Sequence, residues 1–541
     1  MNKPFAITLD VGSSLANKTG TWRTERPVYV DRLPPCNNAC PAGENIQRWL
    51  YLAEEGNYEG AWRQIMRDNP MPATMGRACY HPCEECCNRA KVDQAVGIHA
   101  VERFLGDLAI LEGWGVKVEA KPSGKNVLIV GAGPSGLSCA YHLTLLGHKV
   151  TIDEAGPFAG GMMRFGIPKY RLPRDILDAE IKRITDMGVV VRLNRKVGDL
   201  EEAMRGERFD AVFLAVGAHL AKRAYIPAGD ASRILDALQL LRGVETGDQP
   251  LLGRRVIVYG GGNTAIDAAR SAKRLGATET IVVYRRTREK MPAHDFEVQE
   301  AIDEGVQFKW LSTIKAESRG TFTVERMVLD EGGKPRATGE FEEMQADSCV
   351  LALGQDADLS FLANVKGLKV TDGVVEVGPD MMTGRRGVFA GGDMVPAERT
   401  ITVAIGHGKK AARHIDAFLR GGVYTPAPKH ELATLERLNT WYYTDAPQTE
   451  QPALDKARRQ STFDEVVGGL GESNALFEAR RCMSCGNCFE CDNCFGVCPD
   501  NAVIKLGPGN RYTFNYDYCK GCSLCATECP CGAIRMEPET I

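Results

Sequence analysis

The cysteines near the C-terminus have the clearest chemical spacing in this sequence. Of 19 cysteines in 541 residues, eleven lie between residues 482 and 531. Eight of these form two successive C-x2-C-x2-C-x3-C-P runs, the spacing with which ferredoxins hold iron–sulfur clusters, the fourth cysteine of each run serving the other cluster. This predicts two [4Fe-4S] clusters, one on Cys488, Cys491, Cys494 and Cys529, and another on Cys519, Cys522, Cys525 and Cys498.

The sequence indicates a reducing compartment, where clustered cysteines bind metal. The first twenty residues have no basic stretch followed by an apolar run, and eighteen consecutive apolar residues occur nowhere, so we expect a cytoplasmic protein without a membrane span. Cytosolic thiols stay reduced, which argues against disulfides. A zinc ribbon suits the tail less well, because zinc sites pair CxxC elements. Cys139 and Cys349 stand alone in apolar segments and are predicted to be core residues.

A glycine-rich turn after the apolar strand NVLIV predicts a dinucleotide site. The GxGxxG spacing lets the backbone turn tightly, approach a pyrophosphate and open a helix whose N-terminus faces the anion. An acid ends the next strand 23 residues beyond the first glycine, where a ribose hydroxyl is bound. The predicted binding residues are Gly131, Gly133, Pro134, Ser135, Gly136 and Glu154.

A second turn of the same design, GGGNTA, follows the strand RVIVY. The next strand ends in two arginines in place of an acid, and two guanidiniums there suit a 2′-phosphate. This favours NADPH, with NADH or a merely solvated basic loop as alternatives. The predicted residues are Gly261, Gly262, Asn263, Thr264, Ala265, Arg285 and Arg286.

Two dinucleotide sites in one chain predict a resident FAD and a visiting NAD(P)H. Two further strands end in glycine turns near the cofactors, at Gly217 and Gly354. The segment GVFAGGDMVPAERTITVAIGHGKKAARHI resembles a closing flavin motif, with a helix whose positive end points at the flavin. Its predicted binding residues are Gly392, Asp393, Thr402 and Val403. Hydride transfer requires no acid or base, so we predict no catalytic side chain.

The alternation of β-branched runs with helical stretches predicts an α/β fold with two Rossmann-like domains. A mainly helical iron–sulfur domain precedes them and a ferredoxin-like α+β domain follows. The length and the 44% apolar content suit several cores, and the net charge of −4 gives no reason to expect nucleic acid. The predicted units are the helical domain (1–120), the FAD-binding domain (121–250 and 379–424), the NAD(P)H-binding domain (251–378), a linker (425–477) and the 2[4Fe-4S] domain (478–541).

The order of motifs between residue 36 and about residue 420 resembles the small subunit of glutamate synthase and its relatives. The motifs are C-x3-CP, GRxC-x3-C, VxIxxxER, GAGPSG, GGMMRFGIPKYRLP, GGGNTA, YRR followed by MPA, and AGGD. The resemblance implies electron flow between NAD(P)H, FAD and iron–sulfur clusters, with Gly161 and Arg164 among the cofactor-binding residues. It also implies an N-terminal cluster on Cys40, Cys79, Cys83 and Glu102, of which the carboxylate is the least usual ligand.

A second N-terminal cluster of this family is incomplete here. The family uses an RCLxC pair at the start of the chain, whereas no cysteine precedes Cys36 and the similar text EARRCMSCG occurs at residues 478–486. We predict that this displaced pair folds back, or crosses to a second subunit of a homodimer. Alternatively the pair is a remnant, or Cys86 takes part, and three clusters exist; Cys86 and Cys531 have no predicted role. The predicted ligands of the fourth cluster are Cys36, Cys87, Cys482 and Cys485.

The predicted cofactors imply an oxidoreductase that exchanges electrons with a partner protein, since no further substrate-binding module is recognisable. The text GTWRTERPVYVDRLPPCNNACPAGENIQ together with CGNCFECDNCFGVCPDNAV resembles the iron–sulfur flavoproteins that serve dissimilatory sulfite reductase in sulfur metabolism. That resemblance implies sulfite reductase as the partner. The alternatives are 2-oxoacid:ferredoxin oxidoreductase and glutamate synthase. A non-catalytic ferredoxin-like carrier or scaffold is an alternative of another class, against which two intact phosphate turns argue.

Overall fold

The structure is a computed structural model that describes residues 18–222 and 233–539. The predicted lack of an export signal concerns mainly residues 1–17, which lie outside the described residues. Within the described ranges no helix is long and apolar enough to cross a membrane.

The N-terminal unit is mainly helical. Its elements are β1 (Glu25–Tyr29), α1 (Pro35–Ala39), α2 (Ile46–Glu54), α3 (Tyr58–Ile65), α4 (Pro72–Ala78), α5 (Pro82–Glu85) and α6 (Ile98–Leu111). Asn45 and Asn57 cap α2 and α3 by accepting a hydrogen bond from a backbone N–H of the first turn. The indoles of Trp49 and Trp62 are fully buried; Trp49 lies in the core of the N-terminal helices, whereas Trp62 lies in the core of the first Rossmann-like unit.

The first Rossmann-like unit alternates strands and helices. Its elements are β2 (Asn126–Val130), α7 (Pro134–Leu145), β3 (Lys149–Asp153), α8 (Met162–Phe165), α9 (Arg174–Thr185), β4 (Val190–Arg192), α10 (Leu200–Glu207), β5 (Ala211–Leu214) and β6 (Leu220–Ala221). The apolar run NVLIV forms β2, and because its residues are buried on both faces it suits a central parallel strand.

The second Rossmann-like unit follows, and the chain then returns to the first. The second unit comprises β7 (Arg233–Asp236), α11 (Ala237–Thr246), β8 (Arg255–Gly260), α12 (Asn263–Arg274), β9 (Glu279–Val283), α13 (Asp295–Asp303), β10 (Gln307–Lys309), β11 (Ser312–Ser318), β12 (Thr321–Leu329), β13 (Pro335–Gln345), β14 (Ser348–Ala352) and β15 (Gln355–Asp356). The returning elements are β16 (Val370–Thr371), β17 (Val374–Val375), β18 (Val388–Ala390) and α14 (Ile401–Leu419).

Each Rossmann-like unit is built on a five-stranded parallel sheet. The strand order is β18–β5–β2–β3–β4 in the first sheet and β10–β9–β8–β14–β7 in the second. The glycine turns therefore leave the carboxyl ends of β2 and β8, where ligands bind in such sheets. Cys139 and Cys349 are fully buried in these units, as predicted.

The C-terminal unit is a small ferredoxin-like module reached through a helical connection. Its elements are α15 (Lys456–Ser461), α16 (Glu472–Arg480), α17 (Asn493–Gly496), β19 (Val503–Lys505), β20 (Tyr512–Phe514), α18 (Leu524–Thr527) and β21 (Ile534–Pro538). Together with the two parallel sheets and the helical N-terminal unit, this module matches the predicted fold class.

The N-terminal strand belongs physically to the C-terminal module. β1 pairs antiparallel with β21, with Glu25 opposite Pro538 and Tyr29 opposite Ile534. The ring of Tyr29 stacks on Phe514 at 4.8 Å between centroids. The two ends of the described chain therefore form one sheet, an association that the predicted boundaries do not contain.

Candidate functional site

A cavity of about 560 Å³ lies between the two Rossmann-like units. Both glycine turns contribute to its walls, so one cavity can bring a flavin and a nicotinamide together. The predicted residues that line it are Gly131, Gly133, Pro134, Ser135, Glu154, Gly161, Gly217, Asn263, Thr264, Gly392 and Asp393. The other predicted nucleotide-binding residues lie outside this lining: Gly136, Arg164, Gly261, Gly262, Ala265, Arg285, Arg286, Gly354, Thr402 and Val403.

The first glycine turn fits a pyrophosphate. Gly131 has a φ of +105°, and an added Cβ would lie 2.4 Å from the Ala215 carbonyl oxygen, so only glycine is tolerated. Gly133 precedes α7, and among the described residues no side chain caps that helix, which leaves its first N–H groups for an anion. The buried hydroxyl of Ser135 lacks a hydrogen-bond partner in the described part of the chain.

Glu154 is held where a ribose would bind. Its carboxylate accepts hydrogen bonds from the backbone N–H groups of Ala132 at 2.8 Å and Gly156 at 2.7 Å. A carboxylate has about four acceptor positions, so capacity remains for ribose hydroxyls. These contacts fit FAD in the first unit.

The helix α14 contacts both the cavity and the cysteine loop after α4. Thr400 caps α14 by accepting a hydrogen bond from the Val403 backbone N–H at 3.2 Å. The hydroxyl of Thr402 donates to Cys79 Sγ at 2.9 Å and so turns away from the cavity. Burial raises the pKa of Asp393, which lines the cavity beside this helix. The helix therefore links the predicted flavin position to a predicted cluster ligand.

The second glycine turn is open at its third glycine. A Cβ added to Gly262 would meet no described atom within 4 Å, which leaves room for a phosphate. Asn263, the first residue of α12, donates from Nδ2 to the Tyr80 hydroxyl at 2.7 Å, and the Tyr80 ring stacks on His294 at 3.7 Å. Sequence reasoning missed Tyr80, which stands next to Cys79 and brings the cysteine loop onto the nucleotide turn.

Arg285 and Arg286 follow β9, the neighbour of β8, after Tyr284. Arg285 is exposed, whereas Arg286 is partly buried and its Nε has no hydrogen-bond partner among the described residues. An unpaired guanidinium nitrogen at this edge of the sheet fits a 2′-phosphate. Arg164, by contrast, is buried in ion pairs with Asp178 and Glu245.

The three cysteines predicted as N-terminal cluster ligands lie together next to α14. We call the group that they form with Glu102 the first site. Burial, followed by the neighbouring Glu84 and the thiols of Cys79 and Cys40, raises the pKa of Cys83. Burial thus opposes the thiolate form, and the charge of bound iron would reverse that balance. The four residues of the first site are Cys40, Cys79, Cys83 and Glu102.

The carboxylate of the first site has a buried neighbour. Asn69 donates from Nδ2 to Glu102 at 2.7 Å and to Glu44 at 3.0 Å. Burial and then Glu44 raise the pKa of Glu102 well above its usual range, and burial raises that of Glu44 to about 7. Sequence reasoning missed Glu44, although it follows Cys40 by four residues in CPAGE.

The displaced CxxC folds back within the same chain. Four cysteines, two from the N-terminal unit and two from the loop after α16, line one small enclosed cavity. Burial, followed by the thiols of Cys482, Cys87 and Cys485, raises the pKa of Cys36. Asn88 donates from Nδ2 to Cys485 Sγ at 3.5 Å. These four, called the second site, are Cys36, Cys87, Cys482 and Cys485.

The ferredoxin-like module groups its eight predicted ligands as expected for two clusters. In the third site, burial and then the thiols of Cys494 and Cys529 raise the pKa of Cys488. The hydroxyl of Tyr29 lies 3.2 Å from Cys494 Sγ. The four thiols of the fourth site line one small cavity. The third site is Cys488, Cys491, Cys494 and Cys529, and the fourth is Cys498, Cys519, Cys522 and Cys525.

Beside the first site, His99 forms an ion pair with Glu84, and His81 packs against its ring. His99 contacts Glu84 from Nδ1 at 2.8 Å and Gln451 Oε1 from Nε2 at 2.9 Å. Against the effect of burial, Glu84 raises the pKa of His99, and both ring nitrogens point at oxygen acceptors. Burial lowers the pKa of the neighbouring His81 to about 4, which keeps it neutral. The group ties the connection before α15 to the N-terminal unit.

The geometry defines a class of protein, an oxidoreductase that combines two dinucleotide sites with grouped iron–sulfur ligands. Residues 125–408 match the pyridine nucleotide-disulphide oxidoreductase family. Residues 16–114 match dihydropyrimidine dehydrogenase domain II with its 4Fe-4S cluster, and residues 512–535 match a 4Fe-4S binding domain. The chain belongs to the pyridine nucleotide-disulphide oxidoreductase family.

Several individual proteins are similar to this chain. The NADP(+)-dependent formate dehydrogenase subunit beta of Moorella thermoacetica is 37% identical over 505 residues, covering 83% of this chain and 70% of that protein. The NADPH glutamate synthase small chain of Escherichia coli (strain K12) is 34% identical over 411 residues, covering 70% and 87%. Mycobacterium tuberculosis FprA in complex with NADPH is 20% identical, with a TM-score of 0.47, covering 56% and 87%.

The family match and the first two relatives confirm the predicted resemblance to the glutamate synthase small subunit. The chain is an NADPH-dependent electron-transfer subunit that uses FAD and [4Fe-4S] clusters.

Proposed function

We propose that the chain passes electrons between NADPH and a separate redox enzyme through FAD and four [4Fe-4S] clusters in series. Bound FAD and clusters supply the conversion between a two-electron hydride and single electrons. The observation that carries the proposal is the meeting of two N-terminal and two C-terminal cysteines in the second site. Without that site the flavin half and the ferredoxin-like half would have no cluster between them.

The chain's own residues order the four sites. Thr402 of α14 contacts Cys79, which puts the first site next to the flavin cavity. At the end of α1 the Cys40 backbone N–H donates to the Cys36 carbonyl, so one helical turn carries a ligand of the first site and a ligand of the second. Cys83 in α5 and Cys87 just after it are also four residues apart, and the Cys87 backbone N–H donates to the Glu84 carbonyl, so this turn too carries a ligand of each site. Electrons therefore pass from the first site to the second.

The second site continues directly into the third. Cys485 and Cys488 are three residues apart, and Cys494 and Cys498, four residues apart, link the third site to the fourth. Among the ferredoxin-type ligands, Cys491 and Cys522 are exposed. The ferredoxin-like end is therefore where the partner exchanges electrons with this chain.

For the partner we propose dissimilatory sulfite reductase, on the resemblance of the N-terminal and C-terminal sequences. The alternatives are a 2-oxoacid:ferredoxin oxidoreductase, glutamate synthase and, from the relative in Moorella thermoacetica, a formate dehydrogenase. The direction of flow depends on the cluster potentials, which hydrogen bonds and exposure set.

Cluster content is the decisive test. We would measure iron and acid-labile sulfide per FAD on anaerobically purified wild type and on a Cys482→Ser/Cys485→Ser variant. With four irons per cluster, about sixteen irons should fall to about twelve while the FAD content stays constant. Cys86→Ser is the matched control, and it should keep all its iron. About twelve irons in wild type and double variant alike would refute the second site.

The partner is tested separately. NADPH oxidation should be followed with purified sulfite reductase, and with each alternative enzyme, as sole acceptor. Reduction of a viologen dye by NADPH distinguishes an oxidoreductase from an inert carrier, which would not reduce it. In the double variant dye reduction at the flavin should persist, whereas turnover with the protein partner should be lost.

A further inference from the structure

Cys531 belongs to neither cysteine run, yet it lies against one of them. Its side chain is only 2% exposed, and its Sγ is 3.7 Å from Cys529 Sγ, a distance within the range of a sulfur hydrogen bond. The Ala533 backbone N–H also donates to Cys529 Sγ, at 3.3 Å. Cys529, the proposed ligand that closes the third site, therefore has two potential donors around its sulfur.

Cys531 also stands between the second and third sites. Its carbonyl oxygen accepts a hydrogen bond from the Gly486 backbone N–H at 2.6 Å, and Gly486 directly follows Cys485. Burial, followed by the thiols of Cys531, Cys485 and Cys482, raises the pKa of the Tyr443 phenol, so these thiols share one buried region. An electron that leaves the second site for the third passes this region.

We propose that Cys531 is a positioning residue that donates its S–H to the Cys529 sulfur and so raises the reduction potential of the third cluster. The inference rests on the proposed function. A ligating thiolate carries no proton, so only Cys531 can be the donor in this pair. Reduction adds one electron to the cluster and no proton leaves Cys531. The hydrogen bond is therefore stronger in the reduced, more negative state and favours it.

The consequence is a direction built into the relay. A third cluster with a raised potential accepts electrons readily from the second and holds them near the ferredoxin-like surface. It would be easier to reduce than the fourth cluster, for which the described residues show no cysteine outside the ligand set in such a contact with a ligand sulfur.

The test is an EPR-monitored redox titration of holoenzyme, comparing wild type with Cys531→Ala and Cys531→Ser. In the alanine variant we expect iron and FAD contents to stay at the wild-type level. The equilibrium constant for one-electron reduction of the third cluster should fall about tenfold, which is about 59 mV. Serine keeps a donor, so its potential should lie between those of the other two. Cys139→Ala, at a buried cysteine of the first Rossmann-like unit, is the matched control and should leave every cluster potential unchanged.

Two results would overturn the inference. An unchanged potential in the alanine variant with its iron intact would mean that the thiol does not tune the cluster. A loss of about four irons in both variants would make Cys531 a ligand in place of a donor. Failure of the proposed function is visible elsewhere, because wild type would then lack the EPR signals of the ferredoxin-type clusters, and the inference would fall with it.

Discussion

Arg286 is expected to determine the preference for NADPH over NADH. Its Nε is buried and unpaired within the described ranges, at the end of the strand beside the second glycine turn. A hydrogen bond to a charged group contributes about 1.5–3 kcal/mol, so Arg286→Ala should lower kcat/KM for NADPH about tenfold to a hundredfold. The value for NADH should change little, because NADH has no 2′-phosphate. Arg285→Ala should cost less, since an exposed ion pair contributes little.

The assay is the ratio of kcat/KM for the two nucleotides, measured with a tetrazolium dye. Arg288→Ala is the matched control, because that guanidinium is already bound to Asp295 at 2.7 Å and should leave the ratio unchanged. If Arg286→Ala keeps its FAD and iron and also keeps the wild-type ratio, the assignment of the 2′-phosphate to this arginine is refuted.

Two further substitutions test the nucleotide turn and the packing of the second unit. Gly133→Ala should fold, since an added Cβ would lie 3.9 Å from the nearest described atom outside the adjoining residues, but its methyl would stand where a pyrophosphate must approach. The FAD to protein ratio should therefore fall while the circular dichroism spectrum is retained. Glu304→Gln removes the fully buried carboxylate that binds Arg270 and Arg274. The free energy of unfolding, measured by thermal unfolding, should fall by about 3–5 kcal/mol. The control Glu300→Gln changes a partly exposed carboxylate and should lower it much less.

The sequence predicts those parts of the site whose geometry depends on a few residues adjacent in the chain. A glycine turn carries its own geometry, because a Cβ at Gly131 would collide with a backbone oxygen. The doubled cysteine run likewise predicts its cluster ligands by spacing alone, and the structure groups these thiols in the C-terminal module. The α/β fold followed from strand and helix periodicity, and the structure and the comparisons agree with it.

The parts that sequence reasoning missed depend on contacts between distant segments. Glu44 becomes a neighbour of Glu102 only because Asn69 bonds to both. Tyr80 reaches the second nucleotide turn across two units. Thr402, at the start of α14, stays a predicted flavin-binding residue, but its hydroxyl bonds Cys79, which lies more than three hundred residues earlier in the chain. No local pattern encodes such pairings.

The position of the CxxC motif in the chain limits the distance between the second and third sites. Cys488 follows Cys485 by three residues, and an extended chain spans at most about 3.6 Å per residue, so these ligands of the second and third sites lie at most about 11 Å apart along the backbone. Had the motif remained at the N-terminus, that distance would depend on how the connection after α14 packs. Here the segment that would complete a cluster beside the flavin half also begins the ferredoxin-like module. The N-terminal strand β1 pairs with β21 of the same module and holds it from the other end of the chain. The proposed relay is therefore held at a fixed spacing, so partner docking need not first bring the module to the flavin half.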